Sequence, residues 1–229
     1  MYKLSRKCII AIDGGSGVGK TSVSKALSKK LGIIYIDTGA MYRATGLYFL
    51  INNIEINDEN IKKNINNIDV DLKINEKGEN LVFLNGENVT DKIRTEKVSM
   101  AASDVSKNSI VRKMLVEKQR VLAGKESVVI EGRDTTTVIF PNADIKLFFV
   151  SNLDVRSSRR YNDLRRKDGS VELKKVKEDI IKRDMQDSTR DDSPLTRTDD
   201  SILIDTSNST VEQTTNKILD ILKERIGLV

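Results

Sequence analysis

The sequence predicts an α/β fold in which a parallel sheet of about five strands is wrapped by helices. Short apolar runs separated by helical patterns are the first observation, because a parallel sheet needs crossover helices between its strands. The second is a glycine-rich segment at residues 14–21, which follows the first run and precedes an amphipathic helix. The predicted strands are residues 8–12, 33–36, 128–130, 145–150 and 202–204.

Helix-end signals define the first and last predicted helices. Apolar residues at helical spacing from Val23 to Leu31 indicate one buried face, and Gly32 supplies a stop signal. Ser209 and Glu212 stand in capping-box spacing, so we expect the final helix to begin there.

Two stretches depart from this alternation. Residues 69–90 alternate apolar and polar positions around Lys77-Gly78 and Asn85-Gly86, which predicts small antiparallel hairpins inserted on the parallel core. Residues 153–190 are highly charged and rich in arginine, and they predict a helical region broken at Asp168-Gly169.

Composition excludes several classes of chemistry. The 229 residues include one cysteine, Cys8, and no histidine, so disulfide frameworks, C-x-x-C redox pairs and His/Cys zinc sites are ruled out. Any reaction must proceed without a histidine base. The apolar run at residues 8–12 is too short for a secretory signal and meets Asp13 at once. No run reaches the length of a membrane span, so we expect a cytoplasmic protein with no membrane partner.

The charge balance points to a polyanionic partner. The chain has 39 basic and 34 acidic residues, for a net charge of +5. Nucleic acid and nucleotides would both fit this balance. Because the chain has no tryptophan and is only 4% aromatic, the stacking surfaces of a single-strand binder are sparse. A small phosphate ligand is therefore favoured, with no nucleic acid partner expected.

The segment GGSGVGKT matches the phosphate-binding motif G-x-x-x-x-G-K-[ST] in its required context between a strand and a helix. Its glycines let backbone N–H groups face phosphate oxygens, and the helix N-terminus adds partial positive charge. Lys20 would reach the outer phosphates of ATP, and the Thr21 hydroxyl would hold Mg²⁺. The predicted ATP-binding residues of this motif are Gly14, Gly15, Ser16, Gly17, Val18, Gly19, Lys20 and Thr21.

What becomes of the γ-phosphate is a separate question. A guanine-reading switch protein needs an N-K-x-D loop, and in NKILD the aspartate after Asn216-Lys217 stands one place too far along. A motor or translocase would normally need a larger chain, so a small kinase remains.

The acceptor of a small kinase is either an alcohol or a phosphate. An alcohol needs a base, whereas a phosphate monoester needs mainly neutralisation and alignment. Arginines beyond the cradle favour the phosphate, because guanidinium groups bind phosphate bidentately. A small kinase for another monophosphate or an alcohol metabolite, and a nucleic-acid-binding ATPase, stay open as alternatives. These arginines are Arg43, Arg112, Arg133, Arg183 and Arg190.

Five further segments, together with the cradle, cover nearly the whole chain in order. They are IDTGAMYR (36–43), IRTEKVSMAASDVS (93–106), VRKMLVEKQR (111–120), EGRDTTTVIFPNADIKLF (131–148) and RDMQDSTRDDSPL (183–195). In this series the chain resembles the bacterial cytidylate kinases of the nucleoside monophosphate kinase family. The resemblance implies a P-loop kinase fold, an arginine-rich lid, and transfer of the γ-phosphoryl group of MgATP to CMP or dCMP.

The resemblance also implies roles for individual residues. Arg43 and Arg133 match the arginines that clamp the acceptor phosphate, and with Lys20 and Arg190 they form the implied catalytic set. The segment around Arg43 adds Asp37, Thr38 and Gly39 to the implied CMP site.

The base and the sugar have their own implied contacts. Positions around the pyrimidine edge are matched by Ser103, Arg112, Asp134 and Arg190, and the pair near the sugar hydroxyls by Arg183 and Asp187. A carboxylate complements the exocyclic amine of cytosine and repels the carbonyl of uracil, which is how Asp134 could select the base. Glu131 is a candidate to orient water or Mg²⁺. The alternative is that residues 131–134 merely finish a surface strand.

Two arginine groups keep structural alternatives. Arg183, Asp187 and Arg190 have i, i+4, i+7 spacing, which places them on one helical face and also fits a solvent-exposed ion-pair stripe. The second group belongs either to a lid that closes on ATP phosphates or to a solvated face. It consists of Arg156, Arg159 and Arg160.

The predicted organisation is a single domain, and we expect a monomer. The core comprises residues 1–40, 108–152 and 191–229, the monophosphate-binding region with its β insertion comprises 41–107, and the lid comprises 153–190. Two positions depart from the family pattern: Gly15 stands where proline is frequent, and Thr136 stands where a glycine usually follows the GRD segment.

Overall fold

The computed structural model of the chain describes residue 2 and residues 4–75, 80–124, 126–166 and 171–228. Its strands are β1 (Ile9–Gly14), β2 (Ile34–Asp37), β3 (Val70–Ile74), β4 (Asn80–Leu84), β5 (Glu87–Asn88), β6 (Val128–Gly132), β7 (Ile145–Val150) and β8 (Ile202–Asp205). Its helices are α1 (Lys20–Leu31), α2 (Thr38–Ile51), α3 (Asp58–Asn64), α4 (Glu96–Val105), α5 (Ser109–Ala123), α6 (Leu153–Arg165), α7 (Leu173–Thr189) and α8 (Val211–Ile226).

The main sheet has five parallel strands in the order β2-β6-β1-β7-β8, and this confirms the predicted α/β architecture. Four strands, β1, β2, β6 and β8, continue past their apolar runs, because backbone hydrogen bonding does not depend on side-chain polarity. Glu131 of β6, for example, lies in register with Asp37 of β2 and Ile12 of β1. The sheet therefore carries charged side chains to its carboxyl edge, where ligands bind in open α/β sheets.

Each face of the sheet is covered by its own hydrophobic cluster. Side chains alternate between the two faces along a strand, so Ile10 and Ile12 of β1 belong to one cluster and Ala11 to the other. The first cluster includes Leu27 of α1 and Leu219 of α8, both essentially buried. The apolar face predicted for α1 is thus the face that packs on the sheet.

A separate antiparallel sheet, β3-β4-β5, confirms the predicted β insertion. Asn85 and Gly86 join β4 to β5 with φ angles of 49° and 82°, both in the left-handed region that a two-residue type I′ hairpin requires. The other predicted turn, Lys77-Gly78, lies outside the described residues.

The cap of the last helix lies one residue later than predicted. Thr210, not Ser209, caps α8, and its hydroxyl accepts a hydrogen bond from Gln213 N at 3.1 Å. Gln213 Oε1 accepts in return from Thr210 N at 2.9 Å, which completes the capping box. The predicted capping box of Ser209 and Glu212 was wrong, because the glutamine at position 213 can accept the hydrogen bond from the cap N–H as well as a glutamate can. The charged region forms α6 and α7, and its predicted break at Asp168-Gly169 lies outside the described residues.

Asp13 ties the end of β1 to the turn that follows β6. Its carboxylate is fully buried and accepts four hydrogen bonds, from the backbone N–H and the hydroxyl of both Thr135 and Thr136, at 2.7–2.9 Å. These threonines begin a single π-helical turn, Thr135–Ile139. Thr136, which stands where the family pattern has glycine, therefore contributes a hydroxyl that helps to fix the turn beside Asp134.

We expect Asp13→Asn to lower the free energy of unfolding by about 2–4 kcal/mol, because its amide N–H₂ would face buried donors. Urea unfolding of the variant beside the unchanged protein measures this difference. Asp144→Asn is a control, since that carboxylate also bonds a backbone N–H but is partly exposed. An equal and small effect of both substitutions would contradict the structural role of Asp13.

No helix in the described ranges is long and apolar enough to cross a bilayer.

Candidate nucleotide site

Two adjoining cavities open at the carboxyl edge of the main sheet. The inner cavity, about 210 Å³, is lined by the ends of β2 and β6 together with residues of α2, α4 and α7. The outer cavity, about 530 Å³, lies beside residues 16–23 and is bordered by α6 and the start of α8. Both are lined by Lys20 and Thr21. The cradle thus stands between two spaces, as a site that binds two ligands requires.

The cradle has the backbone geometry that its glycines predict. Gly14 has a φ of 150°, and a Cβ there would lie 2.4 Å from the carbonyl oxygen of Phe149 in β7. Gly19 has a φ of 90° and immediately precedes α1. The free N–H groups at the start of α1 therefore face the cavities with the positive end of the helix dipole.

Lys20 lies buried beneath the cradle. Its Nζ donates to the carbonyl oxygens of Gly14 at 2.7 Å and Gly15 at 2.8 Å. Burial, reinforced by repulsion from Arg133, lowers the pKa of Lys20 to about 7, although Glu131 raises it. The ammonium is therefore poorly compensated in the free protein, and an anionic ligand would stabilise its charged form.

The end of β6 places Arg133 against α7. Arg133 Nε donates to Asp187 Oδ2 at 2.7 Å, and Asp187 Oδ1 lies 3.6 Å from Arg190 Nη1. Burial opposes ionisation of Asp187, but these arginines outweigh it and lower its pKa. Arg190 meets Asp187 from beyond the helix: α7 ends at Thr189 and Arg190 is extended. The predicted single helical face is therefore right only for Arg183 and Asp187.

Arg183 also lines the inner cavity. Its Nε is buried without a hydrogen-bond partner among the residues that the structure describes. Burial and the neighbouring Arg133 lower the pKa of Arg183 to about 10. An anionic or hydroxyl-bearing ligand in the cavity would supply the missing acceptor.

Asp37 and Arg43 form the opposite wall. The carboxylate of Asp37 caps α2 by accepting from Ala40 N at 3.0 Å and pairs with Arg43 Nη2 at 2.8 Å. A Cβ on Gly39 would lie 3.2 Å from Arg43 Nη1, so this glycine leaves room for the guanidinium. Thr38 Oγ1 donates to the carbonyl oxygen of Glu131 at 2.8 Å and joins α2 to β6.

Asp134 and Arg112 form a buried ion pair at the base of the inner cavity, with side chains only 4% and 3% exposed. Burial raises the pKa of Asp134, although Arg112 opposes this. The guanidinium of Arg112 also lies 5.6 Å from the ring centre of Tyr42. Ser103, on α4, accepts at its Oγ from Gln186 Nε2 at 2.7 Å. The sequence did not single out Gln186, although it lies within the quoted segment 183–195.

Oxygen ligands meet near Thr21. Thr21 and Glu131 both line the inner cavity, and the Glu131 carboxylate accepts a hydrogen bond from Tyr35 Oη at 2.5 Å. Burial and the nearby Asp37 raise the pKa of Glu131. Within the described residues, no cluster of three or more histidine, cysteine or acidic side chains could hold a metal ion by itself. One hydroxyl and two carboxylates fit Mg²⁺, which commonly completes its shell with phosphate and water.

The three arginines of α6, which are Arg156, Arg159 and Arg160, contact protein groups around the cradle. Arg159 Nη2 donates to the Thr206 carbonyl oxygen at 2.7 Å, and Arg160 Nη2 bonds Glu96 Oε2 at 2.6 Å. Arg156 bonds the cradle itself through the Ser16 carbonyl oxygen at 3.1 Å. None of these guanidinium groups stands on a fully solvated face. Their partners lie 47, 64 and 140 positions away in the chain, so no local pattern could have identified them.

Known proteins match most of the chain. A family model described as "Cytidylate kinase" matches residues 10–224. A cytidylate kinase from Caldicellulosiruptor bescii is 46% identical over 191 residues, which are 83% of this chain and 84% of that one. A cytidylate kinase from Caldicellulosiruptor saccharolyticus is 44% identical over 223 residues, 97% of this chain and 98% of that one.

Among solved structures, an uncharacterized protein from Eubacterium ventriosum aligns with 96% of this chain and 100% of its own, with a TM-score of 0.53. The sequence identity is 18%, so this likeness concerns the fold alone.

Proposed function

The chain belongs to the cytidylate kinase family, and from that premise we propose a role for each part of the nucleotide site. The protein is a nucleoside monophosphate kinase that phosphorylates CMP or dCMP. The donor is ATP, which the cradle binds beside the outer cavity. The acceptor occupies the inner cavity, and the γ-phosphoryl group passes between them in line.

The acceptor phosphate is bound by Arg43 and Arg133. Each guanidinium is held by a carboxylate, Asp37 or Asp187, so its direction is set before the ligand arrives. A phosphate acceptor is already an anionic nucleophile and needs no general base, which suits a chain without histidine. Alignment and charge neutralisation by these arginines are then the main catalytic requirements.

The base is read at the bottom of the inner cavity. Asp134 accepts a hydrogen bond from the exocyclic amine of cytosine, while Ser103 and Arg112 donate to its ring acceptors. Because Arg112 binds Asp134, the carboxylate stays fixed in one orientation. Uracil would present a carbonyl oxygen to the same carboxylate, and the repulsion would exclude it. On the sugar, Arg183 and Asp187 contact the hydroxyl groups.

The donor phosphates and Mg²⁺ lie at the cradle. Thr21, Glu131 and Asp37 supply oxygens for Mg²⁺, directly or through water, and the bound ion would neutralise charge on the ATP phosphates. The ammonium group of Lys20 stabilises the negative charge of the phosphoryl group while it is transferred. Arg190, Arg159 and Arg160 add positive charge, and closure of the lid over the phosphates excludes water that would otherwise hydrolyse ATP. Arg156 contributes through its contact with the cradle. The inner-cavity wall is completed by Thr38 and Gly39.

The wider organisation follows the same proposal. Residues 41–107 bind the monophosphate, 153–190 form the lid, and the remaining segments form the core of one domain. We propose that the protein acts as a monomer in the cytoplasm, with small-molecule nucleotides as its partners and no nucleic acid.

The observation that carries the proposal is that the neighbouring residues Arg133 and Asp134, at the end of β6, both line the inner cavity. The test is ADP release from MgATP with CMP, dCMP, UMP, AMP and GMP in turn. We expect fast turnover with the cytosine nucleotides only, and a loss of about a hundredfold in kcat/KM for CMP in Asp134→Ala. Asp104→Ala is the control, because Asp104 is a half-exposed acidic residue on α4.

Three results would oppose the proposal. Equal rates with CMP and UMP would contradict the assignment of Asp134 as the residue that selects cytosine. Turnover that persists on an acceptor without a phosphate would favour an alcohol substrate. ATP hydrolysis stimulated by RNA or DNA, with steep salt dependence, would favour a nucleic-acid-binding ATPase.

A further inference from the structure

One residue of the cradle, Ser16, is bound by the lid through both its backbone N–H and its carbonyl oxygen. Ser16 N donates to Asp184 Oδ1 of α7 at 2.8 Å, and the Ser16 carbonyl oxygen accepts from Arg156 Nη1 of α6 at 3.1 Å. Asp184 Oδ2 and Arg156 Nη1 also form an ion pair. The side chains are only 23% and 14% exposed, so this is a built contact and not a surface pairing.

The cradle has space for this ion pair because of its glycines. A Cβ on Gly15 would lie 3.0 Å from Arg156 Nη1 and from both carboxylate oxygens of Asp184. A Cβ on Gly17 would lie 3.2 Å from Cβ and from the carbonyl oxygen of Arg156. The departure from proline at position 15 therefore leaves the ion pair directly against the phosphate-binding backbone.

A carboxylate near a triphosphate would, by charge alone, weaken ATP binding. Its partner Arg156 offsets that charge, and the two together occupy the N–H and the carbonyl oxygen of Ser16. Because the peptide groups on both sides of the Ser16 Cα are held, the direction of the N–H groups from Gly17 onward is set before ATP arrives. Fixing donors before binding lowers the ordering cost at the moment of binding.

We propose that Asp184, acting with Arg156, is a positioning residue for donor binding. It holds the backbone of Ser16 and thereby aligns the rest of the cradle with the triphosphate. The assignment rests on the proposed function, since it concerns the donor half of the same site. Asp184 lies on α7 one turn before Asp187, whose bond to Arg133 belongs to the acceptor half.

The test is calorimetric titration with the Mg²⁺ complex of the non-hydrolysable β,γ-imido analogue of ATP and, separately, with CMP. The main variant is Asp184→Asn, because an amide must turn its N–H₂ towards either the Ser16 N–H or Arg156. We expect its Kd for the analogue to rise roughly tenfold while its Kd for CMP stays within about twofold. Gly15→Ala, which keeps both charges but displaces the pair, should weaken analogue binding in the same direction.

Asp179→Asn is the matched control, because it removes the same charge from α7 at a residue paired with Lys175 instead of the cradle. Tighter binding of the analogue by Asp184→Asn would show that charge outweighs positioning and would overturn the proposal. So would unchanged analogue binding, or equal losses for the analogue and CMP, which would mean that Asp184 only holds α7 in place. A parent protein that binds the analogue but not CMP would refute the proposed acceptor, while the analogue titrations would still decide the role of Asp184.

Discussion

Replacing Lys20 by methionine should lower kcat with CMP by at least about a thousandfold. The effect is large because Lys20 Nζ lies buried under the first two glycines of the cradle, where its charge meets little solvent screening. The methionine side chain has a similar length and keeps the packing without the charge. Initial rates of ADP formation at saturating MgATP and CMP measure the loss. Lys25→Met, an exposed change on the same helix, should leave the rate within about twofold.

The same variant tests the state of the buried amine. The folded protein holds the pKa of Lys20 at about 7, below the unfolded value of about 10.4, so the unfolded state binds more protons between these values. The destabilising effect of Lys20 is therefore complete below pH 7 and is relieved as the pH rises through this window. Urea unfolding at pH 6 and pH 9 should show the parent protein gaining stability relative to Lys20→Met at the higher pH. A difference that is independent of pH would contradict the lowered pKa.

Replacing Arg133 by methionine should raise the Kd for CMP by about a hundredfold and lower kcat/KM by about a thousandfold. Arg133 lies at the end of β6, is fixed by Asp187 at 2.7 Å, and lines the inner cavity, where it is placed to bind the acceptor phosphate. Arg225→Met, on the last turn of α8 and far from the cavities, is the matched control for loss of one arginine.

Cytidine, which lacks the phosphate, separates this role from a general disturbance of the site. Removal of Arg133 leaves Asp187 with Arg190, so the sugar contact is altered as well. If Arg133 binds the phosphate, its loss should weaken the binding of CMP far more than the binding of cytidine. Parallel losses for the two ligands would show that Arg133 only supports Asp187. Titration of both ligands against both proteins gives the four constants needed.

Local pattern was enough for the elements of the core. Each strand of the main sheet coincides with a predicted apolar run, because a strand buried on both faces needs an unbroken apolar stretch. The cradle was also predictable from local sequence, since its glycines, lysine and threonine act within eight consecutive positions, Gly14 to Thr21. The cap of α8 was misplaced by one residue, because several polar residues beside a helix start can serve as caps.

The partners of the charged side chains were decided by the tertiary structure. The sequence pointed to Asp134 and Arg133, but it could not show that Arg112 binds the first and Asp187 the second. Asp184 had no signal of its own inside a charged helix, and its bond to Ser16 joins positions 168 residues apart.

The physical reason is the range of the interactions. Periodicity and helix caps depend on neighbours within about one or two turns, so the chain itself determined the strands, the helices and the phosphate cradle. The order β2-β6-β1-β7-β8 then brings strand ends that are far apart in the chain to one edge. That arrangement decided that Arg112 meets Asp134 and that Arg133 meets Asp187, because these ion pairs join positions 22 and 54 residues apart in the chain.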